Sequence, residues 1–116
     1  MLKIKFLFLF FVTIVAAREY QLESLKTRDF SLSAKQNITL GFEGDRVFGF
    51  NGCNRFFGNI IKNQISNLGN TMMMCPQEDM EIERVVMSIL KNASIEISAH
   101  QVIVKNASGM IVFVAK

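Results

Sequence analysis

The sequence predicts an α+β domain built from one antiparallel β-sheet and one α-helix. Apolar and polar side chains alternate with a period of two over much of residues 20–65 and again over residues 95–113, which is typical of strands with one buried face. Between these regions, apolar side chains spaced i, i+3, i+4 and i+7 predict a single helix after Pro76. The chain has 116 residues, half of them hydrophobic, so we expect one small domain with one core.

The first 17 residues predict a cleaved secretory signal peptide. Two lysines precede an apolar run over residues 6–15, and Ala16 and Ala17 supply the small residues of a cleavage site. The run is shorter than the roughly 20 residues of a membrane-spanning helix, although a retained anchor is the alternative. We expect cleavage after Ala17 and an exported, soluble domain over residues 18–116, periplasmic in a Gram-negative source. No cysteine ends the signal, so we expect no lipid anchor.

Composition and motifs exclude several function classes. Loss of the two signal lysines would leave 11 basic and 10 acidic side chains without a basic cluster, which argues against nucleic acid binding. The chain has no P-loop, dinucleotide fingerprint or metalloprotease motif. Its one histidine, His100, stands at a predicted turn without the residues of a catalytic relay. We therefore expect no enzymatic activity, no catalytic residues, no metal and no cofactor.

The strands before the helix are predicted from alternation and turn residues. Asn51–Gly58 is interpreted as a bent strand or tight turn that leads into a further strand. The remaining predictions, in chain order, are a first strand at Tyr20–Leu25, a hairpin of Ile38–Phe42 and Arg46–Phe50 around Gly44-Asp45, a turn at Asn67–Asn70, and an extended stretch at Thr71–Cys75.

Both ends of the helix carry sequence signals. Pro76 fits the first helical position, Glu78 and Asp79 suit the positive end of the helix dipole, and Lys91 suits the other end. We expect one apolar face to pack on the concave side of the sheet; it comprises Ile82, Val85, Val86, Ile89 and Ala93. A return to period two then predicts closing strands at Ile95–Ile97, Val102–Val104 and Ile111–Phe113, with a turn at Asn106–Gly109.

The two cysteines are interpreted through the predicted export. In an oxidising compartment Cys53 and Cys75 have one pairing available, and a disulfide closing such a loop contributes about 3 kcal/mol. Two buried thiols are the alternative. Met72–Met74 together with Cys75 would offer soft ligands to Cu(I). Neighbouring side chains on a strand point to opposite faces, however, so we favour these methionines as core fillers.

Two blocks carry a family resemblance. Residues 49–58, residues 71–76 and the helix that follows resemble the META domain of the bacterial heat-shock protein HslJ family. The residues that match the family motif are Gly52, Cys53, Asn54, Arg55, Phe57, Gly58, Thr71, Met73, Cys75 and Pro76. Three features depart from the family: Tyr20 replaces a usual Trp, Met72 replaces a common basic residue, and the lipobox cysteine of many relatives is missing.

The resemblance implies a strongly curved, partly open antiparallel sheet, a half-barrel closed by one helix, and an exported protein linked to envelope stress. We expect a monomeric, non-enzymatic protein that supports envelope integrity or stress tolerance through protein or envelope contacts. Gly52 and Asn54 are interpreted as residues of a backbone bend, with Arg55 on the surface or paired with a carboxylate. Asn54 and Arg55 are also candidate ligand contacts at the mouth of the half-barrel. The alternative is a carrier of a small apolar ligand or lipid in a cavity between sheet and helix, lined by Phe48, Phe50, Ile82, Val86 and Ile89.

Overall fold

The computed structural model describes residues 18–116, and the predicted signal peptide lies outside them. It contains nine strands and one helix, which we number in chain order. The strands are β1 (Arg18–Thr27), β2 (Ser31–Ser33), β3 (Thr39–Glu43), β4 (Arg46–Phe50), β5 (Arg55–Ile61), β6 (Gln64–Asn70), β7 (Ser94–Ile97), β8 (Gln101–Asn106) and β9 (Gly109–Ala115). The helix α1 (Gln77–Leu90) joins β6 to β7.

Eight of the strands form a closed antiparallel barrel, whereas the sequence predicted a partly open sheet. The order runs β1-β3-β4-β5-β6-β7-β8-β9, and β9 pairs back onto β1. Closure depends on the length of β1, which has ten residues. Along one edge its first four residues pair with β3, and along the other edge nearly its whole length pairs with β9. The short β2, which the sequence did not predict, pairs with the rest of the first edge. The barrel therefore leaves few unpaired strand edges.

A β-bulge in β1 helps the barrel to close. The register with β9 shifts between Leu22 and Ser24, which leaves Glu23 as the extra residue. A bulge bends its strand and increases the local twist. It also explains why Leu22 and Leu25 both point into the core although they are three residues apart, out of phase with strict alternation.

The helix covers one end of the barrel. Ile82, Val86 and Ile89 are buried in the core, as predicted, and Leu90 joins them. A Cβ at Gly52 would lie 3.0 Å from Ile82, and a Cβ at Gly109 would lie 3.1 Å from Ile89. The helix thus spans the barrel end from the β4–β5 connection to the β8–β9 turn. We call this the helix end, and the opposite end the open end.

The ends of the helix differ slightly from the prediction. Pro76 is the N-cap, one residue before the first helical position. Lys91 is the C-cap residue. Asn106 donates its side-chain N–H groups to the carbonyls of Ser88 at 2.8 Å and Lys91 at 2.9 Å, which ties the last turn to the β8–β9 turn.

The turn predicted at Asn67–Asn70 is wrong, because these residues belong to β6. The chain reverses instead at Lys62 and Asn63, both at positive φ, between β5 and β6. Asn67 also has positive φ, at a register shift opposite Gly58. Asn tolerates that conformation better than most residues, so its presence marks a bulge here and not a reversal.

Alternation in the wall of the barrel separates two sets of phenylalanines. Phe56 on β5 points inward and is 1% exposed, whereas Phe57 points outward and is 45% exposed. Phe48 and Phe50 on β4 share the outward phase of Phe57, because Phe48 pairs with Phe57 in the register. The predicted carrier pocket between sheet and helix is therefore wrong: its two phenylalanines lie outside the barrel, and its helix residues fill the core.

The helix of residues 77–90, the one helix among the described residues, is neither long nor apolar enough to cross a membrane.

Neighbouring phenylalanines provide a direct test of this assignment. Phe56→Ala removes a fully buried ring and should lower the free energy of unfolding by about 3–5 kcal/mol. Phe57→Ala, next to it in the sequence, should cost less than about 1.5 kcal/mol because its ring already contacts solvent. Urea unfolding of the two variants measures both values, and equal losses would contradict the inward and outward assignment.

Candidate functional site

The connection between β4 and β5 is a turn organised by a buried asparagine. The side-chain oxygen of Asn51 accepts the backbone N–H groups of Cys53 at 3.0 Å and Asn54 at 2.7 Å. The backbone N–H of Asn51 donates to the carbonyl of Asn54 at 2.9 Å, which closes the turn. Gly52 has φ of +107°, a region that side chains with a Cβ rarely adopt. The Asn-Gly pair therefore fixes the direction in which β5 begins.

Asn54 holds three separate parts of the chain together. It is 3% exposed, and its side-chain oxygen accepts the backbone N–H of Met73 at 2.6 Å and the hydroxyl of Thr71 at 3.0 Å. Its side-chain nitrogen donates to the carboxylate of Glu83 on α1, at 3.2 Å and 3.3 Å to the two oxygens. Asn70 donates to the same carboxylate at 2.8 Å. The turn, the segment after β6 and the helix are thus joined by one amide.

The predicted disulfide is present at the same place. The Sγ atoms of Cys53 and Cys75 are 2.03 Å apart, and their Cα atoms are 6.0 Å apart. This bond anchors residues 71–75 at their far end. At their near end, the Thr71 backbone N–H donates to the Arg55 carbonyl at 2.9 Å, and the Thr71 hydroxyl accepts the Arg55 backbone N–H at 3.1 Å. The stretch between β6 and α1 therefore has few free conformations, although it contains no regular secondary structure.

The anchored stretch displays three methionines to solvent. Met72, Met73 and Met74 are 91%, 65% and 86% exposed, the first and third being more exposed than any other large apolar side chain of residues 18–116. We call them the methionine segment. The prediction that these residues fill the core is wrong, because hydrogen bonds between both backbone groups of Met73 and Asn54 hold the middle of the segment on the surface.

The outer face of the barrel carries a groove beside this segment. It spans β3, β4 and β5 and has a volume of about 570 Å³. Five side chains form its chemical character, and we call this set the aromatic groove: Arg46, Phe48, Phe50, Arg55 and Phe57. Thr71 continues β6 opposite Arg55, so the methionine segment begins directly beside one end of the groove.

Glycines give the aromatic groove its shape. A Cβ at Gly41 would lie 2.4 Å from the Phe48 ring, and a Cβ at Gly69 would lie 2.9 Å from the Phe57 ring. Each ring therefore lies flat across the glycine of the neighbouring strand and not upright in solvent. This aromatic cover of a strand glycine fixes both rings on the sheet.

The two predicted ligand contacts, Asn54 and Arg55, lie in different environments. Asn54 is buried and fully engaged with the protein, so it does not contact a ligand in this arrangement. Arg55 is exposed and lines the aromatic groove. Among the other motif residues, Phe57 lines the groove, Gly58 lies inside the barrel wall opposite the β6 bulge, and Pro76 caps the helix.

Sequence reasoning missed Arg46 and placed Phe48 and Phe50 on the wrong face. The sequence does indicate that the two rings point outward, because the positions that alternate with them on β4 hold the smaller residues Val47 and Gly49. A Cβ at Gly49 would lie 2.1 Å from the Thr39 carbonyl and 2.6 Å from the Phe56 ring, so no larger residue fits inside the wall there. From these small inward residues, the rings of Phe48 and Phe50 could have been predicted to lie on the outer face.

A second cavity lies at the open end of the barrel. It measures about 300 Å³, and its lining consists of Arg18, Tyr20, Phe42, Gly44, Asp45, Ile60 and Ile97. Tyr20 and Phe42 contact each other edge to face, with ring centroids 5.8 Å apart. The aromatic side chain that replaces the usual Trp of the family thus belongs to the wall of this cavity.

The copper hypothesis loses one of its ligands. Cys75 is bonded to Cys53, which removes the thiolate that the hypothesis requires. Within residues 18–116, no group of three or more His, Cys, Asp and Glu side chains could hold a metal ion. His100 lies exposed in the β7–β8 turn, as predicted.

Loss of the disulfide should destabilise the fold. Replacing both Cys53 and Cys75 by serine should lower the free energy of unfolding by about 3 kcal/mol, because the loop they close has a sequence separation of 22. Thermal unfolding with and without reductant measures the effect. A double variant as stable as the oxidised wild type would contradict this role for the bond.

Charge at position 54 should make stability depend on pH. Asn54→Asp places a second carboxylate beside Glu83, 3.2 Å from the present nitrogen, and the two negative charges repel. We expect the variant to be less stable than wild type at pH 7, and the difference to shrink towards pH 4 as one carboxyl is protonated and can donate a hydrogen bond. Asn54→Ala is the matched control, since its deficit should change little over this range. Parallel pH profiles of the two variants would contradict the proximity to Glu83.

Two solved structures share the fold. One is the NMR structure of a protein from Burkholderia xenovorans, with a TM-score of 0.64 and 20% identity, covering 85% of this chain and 81% of that one. The other is an NMR structure with a TM-score of 0.60 and 23% identity, covering 84% and 87%. A search of curated proteins finds no significant match.

A protein family matches the part of the chain that contains the motif residues. The META domain family matches residues 13–116, a range that includes the β4–β5 turn, the disulfide and the methionine segment. The match covers nearly all of the chain and agrees with the resemblance seen in the sequence. The chain belongs to the META domain family.

Proposed function

We propose that this protein is an exported, non-enzymatic binding protein whose aromatic groove contacts another protein of the cell envelope, and that this contact supports envelope integrity or stress tolerance. The observation that carries the proposal is the position of the groove. The helix end of the barrel is filled by the core, whereas aromatic and cationic side chains gather on the outer face.

The composition of the surface supports a protein partner. Phenylalanine, methionine and arginine are enriched at protein interfaces, where rings and guanidinium groups are frequent centres of binding energy. The groove supplies three rings and two arginines, and the methionine segment supplies three flexible thioethers beside them. Thioethers adapt to irregular partner surfaces.

Rigid support adds to this argument. A surface that is already ordered loses less conformational entropy on binding. The rings of Phe48 and Phe57 are held over glycines, and the methionine segment is held by Asn54 and the disulfide. These contacts hold an apolar surface in contact with water, and a bound partner would remove that surface from water.

The chemistry of the groove supports binding and not catalysis. Phenyl rings neither transfer protons nor act as nucleophiles, and a guanidinium group donates hydrogen bonds but accepts none. A general acid or base, or an activated nucleophile, is the usual centre of a catalytic site. These five side chains provide binding and orientation, and Glu19, a carboxylate that also lines the groove, forms an ion pair with Lys116.

Two observations support export. Residues 1–17 have the composition of a secretory signal. The Cys53–Cys75 disulfide suits an oxidising compartment, since such bonds are rare in the cytosol.

Site-specific photocrosslinking in the producing cells tests the proposal. A photoreactive phenylalanine at Phe57, which is 45% exposed, should form an adduct with one discrete envelope protein. The matched control is the same probe at Met110, which is 41% exposed but lies on β9 away from the groove. Arg55→Glu should abolish the Phe57 adduct, whereas Arg28→Glu, at an exposed arginine outside the groove, should preserve it.

Two results would contradict the proposal. One is the absence of any protein adduct at Phe57. The other is equal adduct formation from Met110, or a Phe57 adduct unaffected by Arg55→Glu, since either would show nonspecific contact.

The cavity at the open end favours a second candidate, a carrier of a small apolar ligand. Its volume of about 300 Å³ is at the lower limit for ligand sites, and Phe42, Ile60 and Ile97 give it apolar walls. Native mass spectrometry of the protein recovered from cells distinguishes the two candidates. A stoichiometric lipid-sized adduct that Ile97→Arg removes would support the carrier, and a bare chain would oppose it.

A further inference from the structure

We infer that the aromatic groove recognises an extended acidic segment of its partner, in which two Asp or Glu side chains four residues apart flank one apolar side chain. This inference rests on the proposed function and specifies the partner's chemistry. It follows from the positions of two arginines and two rings in the strand register.

The register places the groove side chains in three parallel rows. Phe48 pairs with Phe57 and forms the middle row. Phe50 pairs with Arg55 in the row towards the helix end, and Arg46 pairs with Asn59 in the row towards the open end. An apolar centre therefore lies between one cation on β4 and another on β5.

The distance between the two cations follows from strand geometry. Arg46 and Phe50 are four residues apart on β4, which spans about 13 Å, and Arg55 is one strand further, about 5 Å to the side. The two arginine Cα positions are thus about 14 Å apart. An extended peptide covers the same length in four residues, and its residues i, i+2 and i+4 face one side.

This match defines the complementary sequence pattern. Acidic side chains at i and i+4 would reach Arg46 and Arg55, and an apolar side chain at i+2 would lie between the Phe48 ring, which covers β3, and the Phe57 ring, which covers β6. Arginine binds a carboxylate through two parallel N–H groups, which gives the ends of the segment a defined geometry.

The charge balance of the groove favours an acidic ligand. Neither Arg46 nor Arg55 has a carboxylate of residues 18–116 within 4.0 Å. Glu19 also lines the groove, but it forms an ion pair with Lys116 at 3.2 Å. Glu43 stands opposite Arg46 in the hairpin register and Asp45 precedes Arg46 in the chain, but neither carboxylate lies within 4.0 Å of the Arg46 guanidinium. Two positive charges thus remain available to a ligand.

The pairing of β4 and β5 within the sheet determines whether the backbone or the side chains of the ligand are recognised. β4 pairs with β3 and β5, and β5 pairs with β4 and β6, so neither strand has a free edge beneath the groove. A bound segment cannot join the sheet through its backbone there, in contrast to partners that add a strand to an edge. Recognition must come from side chains, and the spacing of the acids should therefore control affinity.

An NMR titration of the disulfide-bonded protein tests this inference. The probe is acetyl-Glu-Ser-Leu-Ser-Glu-amide, and the control is the isomer acetyl-Glu-Leu-Glu-Ser-Ser-amide, which has the same charge with the acids two residues apart. We expect amide shifts confined to β3, β4 and β5, and an affinity for the first peptide about fivefold or more above that of its isomer, since only the first reaches both arginines.

Protein variants complete the design. Arg46→Glu and Arg55→Glu should each weaken the first peptide about fivefold or more, while Arg28→Glu should leave its affinity unchanged. A peptide with lysine in place of one glutamate should bind Arg55→Glu more tightly than it binds the wild type. This reversal separates a direct contact from a loss of structure.

Equal affinity for the two isomers, shifts outside the groove, or tighter binding of a pentathymidylate than of either peptide would overturn the inference. In that event a Phe57 crosslink to an envelope protein that depends on Arg55 would still support the proposed function. Absence of that crosslink would contradict the function itself, so the two failures are distinguishable.

Discussion

The pairing of β1 with β9 is the constraint on which the rest of the structure depends. It closes the sheet, and in a closed barrel each strand residue faces either a packed interior or the surface. The bulge at Glu23 keeps both Leu22 and Leu25 in the interior while the strand bends. Once the wall is closed and α1 covers the helix end, the aromatic side chains with the outward phase of β4 and β5 lie on the outer face.

A second constraint acts at the β4–β5 turn. Asn54 is a single buried amide that binds the segment after β6, the hydroxyl of Thr71 and a carboxylate of the helix. Buried polar groups that are fully hydrogen-bonded specify one arrangement, because each lost bond leaves a costly unsatisfied group. The disulfide fixes the same segment covalently. The family motif thus includes both residues that hold the scaffold, such as Asn54 and the two cysteines, and exposed residues that the scaffold presents, such as Arg55 and Phe57.

Most of the fold could be predicted from periodicity and capping. The hairpin around Gly44 and the closing strands follow their period of two, and the helix follows Pro76. Closure could not be predicted, because pairing between the first and last strands is set by the bulge and by curvature, which leave little trace in a single sequence. Asn67 suggested a turn because a bulge and a turn require the same positive φ.

The candidate site was predicted only in part. Arg55 and Asn54 were both ligand candidates, Asn54 also as a residue of the bend, since a sequence does not show which polar residue is buried. The outward position of Phe48 and Phe50 contradicts the usual burial of phenylalanine. The outward position is explained by glycines on neighbouring strands, such as Gly41, over which the Phe48 ring lies.

Oxidative footprinting of side chains tests the central claim, that the outer face is covered by a partner in the cell. Phe57 and Met73 should be labelled strongly in the purified protein and weakly in its native compartment, because a bound partner excludes the reagent. Met110 should be labelled equally in both samples, since it lies outside the contact surface. Equal labelling of Phe57 in both samples, or protection of Ile97 at the open end alone, would contradict the account.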